Sequence, residues 1–262
     1  MRVGYVQTSP IFGEKERNFE NINGIVSKHK ADILVLPELF ATGYTFTSKK
    51  EVNDLAENIN ERTAEFMKDL AKKTNGLVIG GYIERGDEKF YNSAMIVSQE
   101  GVVGNYRKIH LYYKENLWFS PGNLPLEVYK FKTFNIGMMI CFDWFFPETA
   151  RTLAILGADI IAHPANLVLP YCQNAMVTRC LENKVFAITS NRVGIERRGK
   201  DYFKFTGKSQ ITSYDGEVLS SAPQHDTIID IVEIEIKYVR NKKINIYNHI
   251  FEDRRVNLYK IN

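Results

Sequence analysis

The sequence is short of the features that mark several large classes of protein. Three cysteines in 262 residues cannot all pair within one chain. Cys172 and Cys180 fall eight residues apart on one predicted helix, about 12 Å along its axis, too far for a disulfide. Free thiols in a reducing, cytoplasmic setting are therefore expected. No apolar run approaches bilayer-spanning length, and residues 1–7 enter a strand pattern with no charged-then-apolar leader, so neither a membrane anchor nor a signal peptide is predicted. Charge of one sign is not in excess: 34 basic and 31 acidic residues give +3. The two signs are interspersed, which argues against a nucleic-acid partner. No Gly-x-Gly-x-x-Gly follows a strand, so dinucleotide binding lacks its loop. The five histidines (His29, His110, His163, His225 and His249) show no i, i+4 pair and no Cys-x-x-Cys companion, so no metal set is predicted.

What is present is an ordinary globular composition, 44% hydrophobic and 25% charged, with enough length for one large α/β core. Short apolar runs alternate with helical periods. Strands are predicted at 3–7 and 33–36, and a helix at 15–30 with Phe19, Ile22, Ile25 and Val26 on one face. One helix is predicted over 52–73, carrying Leu55, Ile59, Phe66 and Leu70. A hairpin follows at 77–83 and 91–97, then a strand pair at 102–106 and 127–131. In the second half, strands at 134–140, 160–163 and 185–190 alternate with helices at 147–156 and 171–183. Pro147 stands in the first turn of its helix. A last hairpin at 211–214 and 218–220 turns on Asp215-Gly216. The polar stretch 237–262 reads as a C-terminal tail.

One echo links the halves: Ala31-Asp32-Ile33-Leu34-Val35-Leu36-Pro37 resembles Ala158-Asp159-Ile160-Ile161-Ala162-His163-Pro164. Should the halves be related by pseudo-symmetry, both strand ends open onto one crevice, with Glu38 and Asn166 lining it.

Three residues carry chemistry in this frame. Cys141 ends an apolar run just before a helix start, where backbone N–H groups lack ladder partners and can face developing negative charge. Taken alone it is open between a nucleophile and a buried core cysteine. Glu38 follows a buried strand directly after Pro37, a partly desolvated place suited to a general base. Lys108 closes another strand, and an ammonium near a thiol would lower the thiol pKa and stabilise an oxyanion. A Cys-His glutaminase elbow is not matched, since Met139 and Asp143 stand where glycines are needed.

The blocks Leu36-Pro37-Glu38, Tyr106-Arg107-Lys108-Ile109-His110-Leu111 and Ile140-Cys141-Phe142-Asp143 with Phe146-Pro147-Glu148 resemble the signatures of the nitrilase superfamily of carbon–nitrogen hydrolases. They are spaced 70 and 33 residues apart from Glu38 to Lys108 to Cys141. Tyr91-Asn92-Ser93-Ala94, Phe119-Ser120-Pro121-Gly122 and His163-Pro164-Ala165-Asn166 extend the likeness over nearly the whole chain. The resemblance implies one domain over 1–262 with a four-layer αββα sandwich, and a triad of Glu38, Lys108 and Cys141. It also implies a second glutamate, matched by Glu115; the alternative is a surface glutamate paired with Lys114.

The implied chemistry is attack of the Cys141 thiolate on an amide or nitrile carbon, with Lys108 and the Phe142 N–H holding the oxyanion, and no metal or cofactor. Tyr44, Phe119, Trp144 and Asn166 are expected to shape the pocket, core packing being the alternative for the aromatics. Cys141-Phe142-Asp143 departs from the Cys-Trp-Glu of nitrilases. The expected substrate is therefore a small amide or N-carbamoyl compound, with a small aliphatic nitrile as the alternative. The family further implies a homodimer or larger assembly in which 237–262 joins subunit contacts. A non-catalytic scaffold of the same fold is the rival from another class; it predicts loss of a triad member, and none is lost.

Overall fold

In the computed structural model, which describes residues 1–259, the strand and helix periods form two six-stranded sheets. The first half runs β1 (Arg2–Gln7), α1 (Lys15–Val26), β2 (Ile33–Val35), α2 (Lys49–Leu55), α3 (Arg62–Thr74), β3 (Leu77–Arg85), β4 (Phe90–Val97), β5 (Val102–Arg107) and the single turn α4 (Glu115–Trp118). The second runs β6 (Val128–Phe131), β7 (Phe134–Met138), a 3-10 turn (Cys141–Phe145), α5 (Pro147–Ile155), β8 (Ile160–Pro164), α6 (Cys172–Asn183), β9 (Phe186–Ser190), β10 (Ile195–Arg198), β11 (Asp201–Lys204), β12 (Gln210–Thr212), β13 (Val218–Ser221) and β14 (Ile228–Glu233). The sheet orders are β14-β1-β2-β3-β4-β5 and β13-β12-β9-β8-β7-β6, with β10 and β11 pairing apart from both. In each sheet the central strands are parallel: Val3, Ile33 and Leu77 stand in register, as do Ile136, Ile160 and Phe186.

Period-two alternation builds the layers. Val3, Tyr5, Ile33, Val35, Leu77 and Ile79 share one buried cluster with Ile136, Met138, Ile160 and Ala162, so the sheets meet face to face. The alternate residues Leu34, Leu36, Val78 and Val97 pack with Phe19 and Ile22 of α1 and Phe66, Met67 and Leu70 of α3. Burying each large side chain of this kind contributes about 1.5–3 kcal/mol. On the far side, Gly137 makes room for Leu153 of α5, whose Cδ2 would lie 2.9 Å from an added Cβ. Helices, sheet, sheet and helices give the four-layer αββα sandwich.

Some expectations are corrected. The helix over 52–73 is two helices, α2 and α3. Strand β3 outruns β2, leaving Ile83 to Arg85 with an unpaired edge, and buried edge groups demand partners. The chain supplies them by leaving the helix at Ala56: the Glu57 N–H donates to Ile83 O at 3.0 Å and Arg85 N–H to Glu57 O at 2.8 Å. Strands β5 and β6 are not a pair. They join β4 and β7 in different sheets and touch across the sandwich, where Tyr129 Oη donates to Asn105 O at 2.9 Å. Strands β10, β11 and β14 are additions that the apolar patterning did not predict. The tail beyond 237 is anchored to its own chain: Arg240 grips Asp159 at 2.9 Å, and Lys242 Nζ donates to the Asn183 and Lys184 carbonyls at the end of α6. Residues 260–262 of that tail lie outside the described residues. No helix among the described residues is long and apolar enough to cross a membrane.

Candidate active site

The C-terminal ends of β2 and β8 meet, as the sequence echo suggested: Asn166 Nδ2 donates to the Glu38 carbonyl at 2.9 Å. Close approach of β3 fixes the Glu38 loop from below. A Cβ on Gly81 would lie 2.6 Å from Leu39 N and 2.7 Å from Glu38 Cα, so only glycine fits. Leu39 itself sits at φ 49°, left-handed backbone that costs a branched residue about 1–3 kcal/mol. Glu38 is wholly buried. Its Oε1 accepts from Lys108 Nζ at 2.8 Å and Asn92 Nδ2 at 2.7 Å, while Oε2 has no partner among the described residues.

Lys108 leaves β5 with its N–H on Asn92 O at 2.9 Å. Its Nζ lies between two carboxylates, 2.8 Å from Glu38 and 2.7 Å from Glu115. Burial works against the ammonium, but Glu115 and Glu38 outweigh it and hold the lysine above its ordinary pKa. Glu115 is buried at the start of α4 and also accepts from Tyr44 Oη at 2.7 Å and the Tyr112 N–H at 3.1 Å. Burial raises its pKa, with Lys108 opposing. Lys114 turns away to Asp201 at 2.7 Å, so the surface pairing with Glu115 does not form.

Cys141 opens the 3-10 turn at φ 42° and is 5% exposed. Burial, then Glu38, push its thiol pKa well up, and Lys108 only partly opposes them. Lys108 does lower the thiol pKa, as expected, but desolvation outweighs it and the net shift is upward. Being in the first turn, the Phe142 N–H has no acceptor within its own helix.

Side chains that sequence reasoning missed hold this turn. Asp143 accepts from Ile140 N–H at 2.8 Å, Tyr106 Oη at 2.8 Å and His110 Nδ1 at 2.8 Å. The His110 ring stacks on Phe146 at 3.6 Å. His163 Nε2 donates to the Cys141 carbonyl at 3.0 Å, which leaves Nδ1 to accept from Thr189 Oγ1 at 3.1 Å. Their only sequence signal was proximity to the three blocks; spacing cannot show which histidines turn inward.

The space over Cys141 is lined by Tyr112, Phe142, Trp144, Asn166, Leu167, Val168 and Leu169, with about 230 Å³ of empty volume partly open to solvent. Trp144 and Asn166 are thus placed beside Cys141. Tyr44 and Phe119 line an adjacent hollow with Glu115 and Phe203.

A four-layer α/β sandwich with a buried thiol, an ammonium and paired carboxylates at its strand ends has the form of a hydrolase acting on carbon–nitrogen bonds other than peptide bonds. The chain belongs to the carbon–nitrogen hydrolase family, whose model matches residues 2–244. It is 47% identical over 263 residues to a nitrilase of Pyrococcus abyssi, covering 99% of each chain. To an (R)-stereoselective amidase of a Pseudomonas species it is 30% identical, covering 98% of this chain and 93% of the relative. The crystal structure of a carbon–nitrogen hydrolase from Helicobacter pylori superposes with a TM-score of 0.86 at 25% identity, over 99% of this chain and 96% of that one.

Proposed function

We propose that Cys141 is the nucleophile of a hydrolase that cleaves a small amide or N-carbamoyl compound through a thioester. The observation that carries this reading is Lys108 Nζ held between Glu38 and Glu115 beside a buried thiol. A protonated thiol needs a base, and Glu38 offers an unpartnered buried carboxylate oxygen. Glu38 takes the thiol proton as sulfur attacks the carbonyl carbon. Lys108 and the Phe142 N–H receive the oxyanion, each such donor contributing about 3 kcal/mol to the transition state. The tetrahedral adduct collapses, Glu38 returns its proton to the leaving nitrogen, and ammonia or an amine departs. Glu38 then deprotonates water, which attacks the thioester and releases the acid and the free thiol. Glu115 and Tyr44 fix the lysine in place.

Two observations bear on the substrate. Cys141-Phe142-Asp143 favours amides, whereas the relative named a nitrilase keeps small nitriles as a second reading. The test is ammonia release from a panel of small amides, carbamoyl amines and nitriles, run beside Cys141→Ala. Release that disappears in the variant supports the mechanism and the panel assigns the bond; release that survives overturns it.

We further infer a homodimer or larger assembly. Leu156, Tyr171 and Leu181 around α5 and α6 are each more than half exposed, and Ile246 and Tyr247 of the tail are at least four-fifths exposed. Light scattering that returned only a 30.2 kDa monomer would contradict this.

A further inference from the structure

We propose, resting on the thioester reading above, that Asn92 is a positioning residue of the reaction: its amide decides which oxygen of Glu38 serves as the base. Asn92 stands on β4 opposite Ile83 of β3. It is bonded to both charged partners of Cys141. Its side-chain Nδ2 donates to Glu38 Oε1 at 2.7 Å, and its backbone carbonyl accepts the Lys108 N–H at 2.9 Å. Lys108 Nζ donates to the same Oε1 at 2.8 Å. With two donors Oε1 is occupied, and Oε2, which has no partner among the described residues, is left to take the thiol proton.

Lys108 alone would not fix this choice. The terminal torsion of a glutamate is broad and roughly two-fold, so a carboxylate held by a single contact can exchange its oxygens. An ammonium is a compact charge on a flexible stem and sets no plane. Here it is also shared with Glu115 at 2.7 Å. The Asn92 amide is short and planar, and it hangs from a strand paired on both sides. That second, directional donor pins the oxygen.

Nothing in the core calls for an amide at this position. Side chains alternate along β4, so Asn92 shares a face with Ala94 and Ile96, which pack in the core between the two sheets. The amide is wholly buried, and its Oδ1 has no partner among the described residues. A buried amide with an unmet acceptor costs stability, so the bond to Glu38 is what it supplies. Glu84 and Arg107 pair with each other on the opposite face of β4, where Ser93 donates to Glu84 at 2.7 Å. The titratable groups close enough to act on Glu38 are Lys108, Glu115, Cys141, Tyr44 and Arg192. All five are kept in the Asn92 variants below.

The experiment needs no substrate. The rate of Cys141 alkylation by iodoacetamide, read by intact mass and peptide mapping, reports removal of the thiol proton. It is compared between about pH 5.5 and 8.5 in wild type, Glu38→Gln, Asn92→Ala and Asn92→Asp, each checked for folding by its thermal melt. Asn92→Ala is expected to slow alkylation about tenfold, as loss of one hydrogen bond to a charged group would. Asn92→Asp sets an acceptor against Glu38 and is expected to be about 100-fold slow near pH 8. Two adjoining carboxyl groups share a proton as the pH falls, and the protonated one donates to the other. The rate of Asn92→Asp relative to wild type should therefore climb at least ~10-fold toward the acid end, which lost packing would not produce. Asn92→Ala at the wild-type rate, or an Asn92→Asp ratio level with pH, beside a slow Glu38→Gln, overturns the role of Asn92 and leaves Glu38 as the base. Glu38→Gln at the wild-type rate removes the base and this inference with it. Either Asn92 variant decides the matter alone where the other does not fold.

Discussion

The carboxylate of Asp143 accepts the backbone N–H of Ile140 at 2.8 Å and so closes the turn that Cys141 opens. Through Tyr106 Oη and His110 the same carboxylate ties that turn to the end of β5, the strand that delivers Lys108. Thiol and ammonium are therefore held by one buried group. Asp143→Asn replaces acceptor oxygens with an amide that opposes some of these donors. The expected loss is about 2–4 kcal/mol in urea unfolding, with a fall in kcat larger than any change in KM. Wild-type stability in this variant would contradict the role.

His163 gives a pH dependence. Burial holds its pKa down at about 4, whereas an unfolded chain titrates at about 6.5. Between those values the unfolded state binds a proton that the folded state refuses, so stability falls as pH falls through that window and is level above it. The loss amounts to about 3 kcal/mol by pH 4. His163→Asn removes the titrating group and should flatten this part of the curve. Denaturation midpoints at pH 4.5 and 7 in both proteins check it; an equal slope in the variant would count against the assignment.

Glu196 anchors the loop that carries Tyr44. It accepts from Arg192 at 2.8 Å, the Thr45 hydroxyl at 2.6 Å, and the Tyr44 and Thr45 N–H groups at 3.2 and 2.8 Å. Glu196→Ala leaves the buried Arg192 guanidinium without its carboxylate and should cost about 3–5 kcal/mol. Pairing it with Arg192→Met should restore part of that loss, because the uncompensated charge is gone. A double variant no more stable than the single would show that the loop amides, not the ion pair, dominate.

In the proposed mechanism Tyr44 and Glu115 act through Lys108, to which Glu115 is bonded at 2.7 Å, so their variants should move kcat more than KM. Tyr44→Phe removes one hydrogen bond to Glu115 and is expected to cost about tenfold in kcat. Because burial raises the Glu115 pKa, activity should fall with falling pH at a higher pH than an ordinary glutamate would dictate. Glu115→Gln should lower kcat and alter the acid limb of its pH profile. An unchanged profile would separate Glu115 from the titration.

Much of this arrangement was legible in the sequence because it lies in contiguous signals. Strand ends stand beside Pro37 and Cys141, and alternation along 33–36 and 134–138 places the core. What escaped depends on long-range pairing. The break at Ala56 follows from an unpaired edge of β3, which no local propensity at 52–73 records. The partner of 127–131 could not be chosen by a period of two, which is the same in either sheet. Asp143 and His163 reveal their roles only once the 3-10 turn brings them under Cys141. The thiol's raised pKa likewise follows from the depth of burial, which a neighbouring lysine in sequence cannot report.

Trapping the enzyme during turnover tests the thioester mechanism most directly. Acid quenching in the presence of a hydrolysed amide, followed by intact mass and peptide mapping, should show one added acyl group on the Cys141 peptide. The adduct should be labile to hydroxylamine, as a thioester is, and missing from Cys141→Ala. Sustained ammonia release with no adduct at Cys141, or with the acyl group on Cys172 or Cys180, would contradict the mechanism.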